Sequence, residues 1–171
     1  IKKTAVATAA IASSSYVYGK IMSNTNANST INIGVIGTGD RGGGLMSIIN
    51  SIDHVNVIAA CDVLPFRLHK GLAKANSNPT GYSDYRQLLD NKDIDAVIVA
   101  TPFHTHSKIA MDTLDAGKHI YCEKTLAKGY TGIRELLHRA NQSKQIFQTG
   151  HQYHSSRLYT HVVDLIQQGK V

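Results

Sequence analysis

The feature that most constrains the fold of this chain is a glycine-rich turn between a strand and a helix. Residues 31–36 have the sequence INIGVI, a short run of mainly β-branched residues that predicts a buried strand. The sequence GTGDRG follows at residues 37–42, and apolar residues then recur at helical spacing through residues 41–50. A strand, a glycine-rich turn and a helix in this order predict the first unit of a parallel α/β sheet.

The same alternation of strands and helices continues along the chain. Further strands are predicted over residues 55–60, 96–100, 119–122 and 145–149, and further helices from Pro65 and over residues 84–89 (with Ser83 as the N-cap), 106–116, 131–143 and 155–168. This pattern predicts a Rossmann-type, doubly wound parallel sheet with helices on both faces. In the strand order 3-2-1-4-5-6 of such sheets, Cys61 and Cys122 end strands that lie roughly 14 Å apart, so we expect two free thiols.

Residues 1–30 differ in composition from the rest of the chain. Lys2 and Lys3 precede an uncharged stretch rich in Ala and Thr, and Ala10-Ile11-Ala12 supplies a small-residue cleavage site. This order is typical of a signal peptide, here of the twin-arginine type with the arginine pair missing, and it predicts an exported, periplasmic protein. A cytoplasmic protein with a disordered leader is the alternative. No stable membrane insertion is expected, because Thr4 to Gly19 is shorter than the roughly 20 apolar residues of a membrane span.

The charge balance is basic, with 18 Lys and Arg residues against 12 Asp and Glu residues. Beyond the first pair of lysines, the basic residues are scattered and form no stripe with interleaved aromatic residues, so nucleic-acid binding is not expected. A site for an anionic cofactor would account for part of the excess equally well.

Four histidines are possible metal ligands, namely His104, His106, His151 and His154. No His-Glu-x-x-His motif or Cys pair accompanies them, so no metal site is predicted.

The glycines of the turn match the requirements of dinucleotide binding. Gly37 would make the tight turn, Gly39 would let the main chain approach a diphosphate, and Gly42 would let the helix pack closely on the strand. The diphosphate would bind the free amide groups at the positive end of the helix dipole. We therefore expect cofactor contacts along the whole turn: Gly37, Thr38, Gly39, Asp40, Arg41 and Gly42. No Gly-Lys-Ser/Thr follows, which disfavours the phosphate loop of an ATPase.

Asp62 ends the second predicted strand, at the distance from Gly42 that is typical of a ribose-binding carboxylate. It would accept hydrogen bonds from the ribose hydroxyls of the adenosine and would repel a 2′-phosphate. The sequence therefore favours NAD over NADP. The alternative is a structural role at the N-terminus of the helix that begins at Pro65.

Four segments, in this order, resemble the Gfo/Idh/MocA oxidoreductases. They are GVIGTGDRG at residues 34–42, CD at 61–62, ATPFHTH at 100–106 and AGKHIYCEK at 116–124. The resemblance covers roughly residues 31–171 and implies a nicotinamide enzyme of sugars or cyclic polyols. It also implies three regions: a signal-peptide remnant and linker at 1–30, a dinucleotide-binding domain at 31–150, and a crossover helix at 151–171 into a truncated substrate domain. The full-length protein would form a homo-oligomer, and this fragment alone would be inactive.

The resemblance assigns the chemistry to Lys124. The family has Glu-Lys-Pro after the fifth strand, which would place this Lys beside the nicotinamide and the reacting hydroxyl. Its ammonium would hydrogen-bond the hydroxyl oxygen and stabilise the negative charge that develops there. Glu123 would be its neighbour and orienter in the cofactor site, and Thr125 replaces the family's Pro. An exposed charge at the end of a strand is the alternative for Lys124.

The segment after the fourth strand would line the cofactor near its nicotinamide ribose, through Thr101, Pro102 and His106. For His106, a structural role at the start of a helix is an equal alternative. Three functions remain open: a dehydrogenase of a sugar or polyol, an NAD-dependent glycosidase and a non-catalytic nucleotide-binding module. Residues 150–159 resemble the glycosidase branch of the family, which hydrolyses N-acetylgalactosaminides by transient oxidation of the sugar.

Overall fold

The computed structural model describes residues 30–171, which form a six-stranded sheet flanked by helices. The strands are β1 (Ile31–Ile36), β2 (Val55–Cys61), β3 (Thr80–Tyr82), β4 (Ala96–Val99), β5 (His119–Glu123) and β6 (Phe147–Gly150). The helices are α1 (Asp40–Ile49), α2 (Pro65–Leu72), α3 (Tyr85–Asp90), α4 (Phe103–Asp115), α5 (Tyr130–Gln142) and α6 (Arg157–Gln167), with a 3₁₀ helix at Gln152–Ser155. The signal-peptide remnant and almost all of the linker lie outside the described residues and stay a prediction.

The strand order is β3-β2-β1-β4-β5-β6, and every neighbouring pair is parallel. Side chains on the two faces of the sheet enter separate apolar clusters: Val35 packs in one cluster and its neighbour Ile36 in the other. The same holds for Ile98 and Val99 on β4. Successive side chains of a strand point to opposite faces, so both faces of the sheet are covered. The predicted doubly wound α/β fold is confirmed.

The strand order reverses between β1 and β4, and this reversal determines where a ligand can bind. The connections from β1 and β4 leave the sheet in opposite directions, which opens a crevice at the carboxyl ends of these strands. The main chain closes the base of the crevice, because the amide of Ala100 donates to the carbonyl oxygen of Ile36 over 2.8 Å. The predicted site residues lie around this crevice.

The two cysteines are free and buried, on β2 and β5. Strands β1 and β4 separate them, as expected from the predicted strand order. No helix within residues 30–171 combines the length and the apolar character that a membrane span requires.

Several element boundaries differ from the predictions. Asp84, and not Ser83, is the N-cap of α3, since its carboxylate accepts a hydrogen bond from the amide of Arg86 over 2.9 Å. A carboxylate at this position also interacts favourably with the helix dipole. Helix α4 begins three residues earlier than predicted, directly after Pro102. Pro is suited to the N-cap position because it has no N–H group that would need an acceptor there. The apolar face of α6 is exposed within the described residues.

Candidate cofactor and active site

Each glycine of the turn occupies a position that fits its predicted role. Gly37 has φ +89°, and a Cβ atom there would lie 2.7 Å from the carbonyl carbon of Ala100. A Cβ at Gly42 would collide with the carbonyl oxygen of Gly37, so helix α1 can approach the strand only without a side chain. Above Gly39, the only heavy atom that a Cβ would meet within 4 Å is Arg67 Nη1, at 3.7 Å. The turn is therefore tight where it packs on the sheet and open where a diphosphate would lie.

Asp62 connects the end of β2 to the turn. Its carboxylate Oδ2 accepts a hydrogen bond from the Thr38 amide over 2.9 Å, and Oδ1 accepts one from the Leu64 amide over 3.0 Å. The Thr38 hydroxyl oxygen lies 3.3 Å from Oδ2, but its one proton has the shorter contact with the carbonyl oxygen of Arg67, at 2.9 Å. Asp62 is 9% exposed. A carboxylate offers roughly four acceptor positions and the two amides occupy two of them, so at least one remains for a ribose hydroxyl. The structural and cofactor-binding roles that the sequence left as alternatives are therefore compatible.

A groove of about 590 Å³ runs from the glycine turn past Asp62 to Thr101 and Pro102. It brings together residues from the first three segments of the family resemblance. It is also lined by Arg67 and Arg86, which the sequence analysis missed. Arg67 reaches the groove because the Thr38 hydroxyl donates to its carbonyl oxygen over 2.9 Å, which holds α2 against the turn. Each arginine lies in the first turn of a helix that follows a strand, Arg67 in α2 and Arg86 in α3. This position near the carboxyl end of the sheet is the signal that could have indicated them.

Arg41 leaves the turn and points toward the end of β5. Its Nε donates to Glu123 Oε1 over 2.6 Å, and its Nη2 donates to Gln152 Oε1 over 2.8 Å. Hydrogen bonding to the carboxylate raises the pKa of the Arg41 guanidinium above its ordinary value. Glu123 is 4% exposed and accepts a further hydrogen bond from the Tyr121 hydroxyl over 3.4 Å. The expected partner of Glu123 was Lys124, whereas the structure pairs it with Arg41.

Lys124 follows directly and is exposed. It lies in a cavity of about 350 Å³ together with Thr101, His106 and Glu123. Thr101 also lines the dinucleotide groove, so the two spaces adjoin. On its other side, Lys124 borders a cavity of about 940 Å³, where the rings of Tyr153 and Tyr159 stack with their centres 5.0 Å apart.

His106 is buried below these cavities, at 1% exposure. Its Nε2 lies 2.7 Å from the carbonyl oxygen of Thr101, and its Nδ1 lies 2.9 Å from that of Thr125. Both ring nitrogens therefore face main-chain atoms. The Lys124–Thr125 peptide is cis.

The histidines and carboxylates form no metal centre in the described part of the chain. Across residues 30–171, no three His, Cys, Asp or Glu side chains come together in a way that could hold a metal ion.

Comparison with known proteins then decides the family. The model of the GFO_IDH_MocA family, described as an oxidoreductase family with an NAD-binding Rossmann fold, matches residues 31–151. The chain belongs to the Gfo/Idh/MocA family. The resemblance indicated by the sequence motifs is confirmed, and so is NAD as the cofactor of this domain. The open surface above Gly39 and the free acceptor position of Asp62 fit such a cofactor.

Relatives of this Gfo/Idh/MocA chain include dehydrogenases and proteins named as glycosidases. An inositol 2-dehydrogenase of Salmonella typhimurium is 27% identical over 144 residues, which is 83% of this chain and 43% of the relative. A glycosyl hydrolase family 109 protein of Solibacter usitatus is 32% identical over 128 residues, which is 69% of this chain and 29% of the relative.

A solved structure of scyllo-inositol dehydrogenase from Lactobacillus casei, with bound NAD(H) and scyllo-inositol, has a TM-score of 0.74 at 26% identity. The match covers 84% of this chain and 42% of that chain. The chain thus spans less than half the length of the relatives that it matches. The domain boundaries expected at residues 30 and 150 stay predictions.

Proposed function

We propose that the full-length protein is an NAD-dependent oxidoreductase that transfers a hydride between nicotinamide and a hydroxyl of a polyol or sugar. The observation that carries the proposal is the position of Lys124. This residue lines a cavity that shares Thr101 with the dinucleotide groove, and it also lines the larger cavity beside Tyr153 and Tyr159. A hydride acceptor and an alcohol could therefore meet beside one ammonium group. The inositol dehydrogenases among the relatives support this substrate class.

The residues around Lys124 give it a defined chemical role. When bound, NAD supplies the acceptor of the hydride. In the direction of reduction, the Lys124 ammonium donates a hydrogen bond to the carbonyl oxygen of the substrate, stabilises the negative charge that develops there as the hydride arrives, and passes its proton to that oxygen; in oxidation the same proton returns to Lys124. Arg41 neutralises the neighbouring carboxylate of Glu123. Since the carboxylate is already paired, the ammonium remains available to the substrate oxygen.

The test is Lys124→Met in the full-length protein. We expect turnover to fall by about a hundredfold or more, the range typical of a lost proton-transferring group, while the affinity for NAD stays nearly unchanged. Lys128→Met is the matched control, because Lys128 is exposed and lines none of the three cavities. Lys124→Met turnover equal to that of the control would refute the catalytic role. A loss confined to NAD affinity would indicate a non-catalytic binding module.

An NAD-dependent glycosidase is the second candidate, supported by the glycosyl hydrolase family 109 relatives. Such an enzyme returns the hydride to its substrate, so its cofactor shows no net change. A dehydrogenase supplied with NAD and a polyol should accumulate NADH, which is followed by its absorbance. Release of a sugar without accumulation of NADH would instead support the glycosidase.

A further inference from the structure

His106 bridges two segments that the sheet itself does not hold together. The ladder between β4 and β5 ends at the pair Val99 and Cys122. Beyond it, the chain after β4 turns at Thr101 into α4, and the chain after β5 continues as an irregular loop, residues 124–129, which we call the Lys124 loop. The imidazole of His106 lies between them, with one ring nitrogen facing the carbonyl oxygen of Thr101 and the other facing that of Thr125.

Apart from this bridge, the Lys124 loop is held by packing, since Leu126 contacts an apolar cluster of the core and Ala127 is buried. Within residues 30–171, the contact between the His106 ring and Thr125 is the one hydrogen bond that joins residues 125–128 to another element of the fold. The ring itself cannot drift, since it is buried at 1% exposure in the first turns of α4. The position of the Thr125 carbonyl, and with it the backbone of Lys124, therefore depends on His106.

We infer that His106 is a positioning residue, which acts through two different carbonyl groups. Its bond to Thr125 fixes the Lys124 loop, and its bond to Thr101 fixes the wall of the dinucleotide groove. The catalytic part of this inference rests on the proposed function, in which Lys124 acts on the substrate. Both partners are acceptors, so holding both at once takes a proton on each ring nitrogen, and a ring with a single N–H would hold one of the two.

The two bonds can be separated by substitution. The amide nitrogen of Asn lies near the place of Nδ1, whereas that of Gln lies near the place of Nε2. His106→Asn therefore keeps a donor toward Thr125, and His106→Gln keeps a donor toward Thr101. His106→Ala removes both.

Two measurements on the 171-residue chain test the bridge without cofactor or substrate. Trypsin can cut the Lys124 loop after Lys124 and Lys128, and we expect this cleavage to be roughly five- to tenfold faster in His106→Gln and His106→Ala, the effect of one lost hydrogen bond on local opening, and to occur at the wild-type rate in His106→Asn. Hydrogen exchange of residues 100–105, where the amides of Ala100 and Thr105 are hydrogen-bonded, should show the opposite order for the Asn and Gln variants. Thr113→Val is the control, because Thr113 is a fully buried polar residue of the same helix whose hydroxyl donates to Ile109.

The full-length enzyme supplies the second measurement. His106→Gln should lower kcat with little effect on the affinity for NAD, and His106→Asn should weaken NAD binding with little effect on kcat. Equal behaviour of the Asn and Gln variants, or tryptic cleavage of the Lys124 loop at the wild-type rate in His106→Ala, would overturn the inference. Failure of the wild-type chain to bind NAD would refute the proposed function instead, since neither the cleavage nor the exchange experiment needs a cofactor.

Discussion

Replacing Asp62 with Asn should weaken the glycine-rich turn and the dinucleotide site together. The carboxylate accepts two amide hydrogen bonds, from Thr38 and from Leu64. An Asn side chain has one acceptor oxygen, so it can satisfy one of the two amides, and its own NH₂ group then faces the other. A hydrogen bond to a charged group contributes about 1.5–3 kcal/mol, and a buried amide without a partner is similarly unfavourable. We expect a loss of about 2–3 kcal/mol in the free energy of unfolding.

Thermal and urea unfolding of the 171-residue chain measure this loss. For a domain of this size, about 1 kcal/mol changes Tm by roughly 2–4 °C, so the expected decrease is about 4–12 °C. Asp53→Asn is the control, because it makes the same change of charge at an exposed residue. The affinity of the variant for NAD should fall, and NADP should bind relatively better, since a 2′-phosphate no longer meets a carboxylate.

Two outcomes would contradict the reasoning about Asp62. If Asp62→Asn unfolds at the same urea concentration as Asp53→Asn, the carboxylate does not hold the turn. If the variant loses stability but binds NAD and NADP in the wild-type ratio, the carboxylate is structural only. The affinities for NAD and NADP should be measured by calorimetric titration well below the lowered Tm, so that unfolding of the variant does not contribute to the loss of binding.

Two further predictions concern Arg41 with Glu123, and the cysteines. Arg41→Gln and Glu123→Gln should each destabilise the chain by about 2 kcal/mol, below the roughly 3–5 kcal/mol of a fully buried pair because Arg41 is partly exposed. The double variant should lose less than the sum in urea unfolding, and additive losses would show that the two groups are uncoupled. Cys61 and Cys122 should react with a thiol reagent only after unfolding, because burial raises the pKa of each thiol to about 12. The unfolded chain should then show two thiols, and a count of zero would reveal a disulfide.

The fold was predictable because its signals are local and repeated. Most strands are short apolar runs, the crossovers are helices, and the first turn carries glycines that only one βα geometry requires. The strand β3 was not predicted, because its three residues, TGY, form no apolar run. The other errors lie at element boundaries, where a single side chain decides. Ser83 and Asp84 are both good N-caps, and the sequence does not show which one reaches the free amide.

The site was predictable only in part, for a related reason. The glycine turn and Asp62 lie in adjacent βα units, so their spacing along the chain indicates their contact. Arg41 and Glu123 are 82 residues apart, and their ion pair depends on how α1 packs against the end of β5. The sequence singled out both residues for the cofactor site, whereas the structure pairs them with each other. His106 is a similar case. Its residue type indicates a polar role, but its two carbonyl partners depend on how α4 packs beside the Lys124 loop.

These contacts explain why the segments that resemble the family form one functional unit. Arg41 belongs to the first segment, His106 to the third, and Glu123 with Lys124 to the fourth. Glu123 is held by Arg41 from α1, and Thr125 is held by His106 from α4. Lys124 therefore lies between two neighbours that are each fixed by a distant helix, while its own side chain remains exposed. In the proposed function, such an arrangement would fix the backbone of Lys124 and leave its ammonium free to reach a substrate, which a Glu-Lys pair at the end of a strand would not achieve alone.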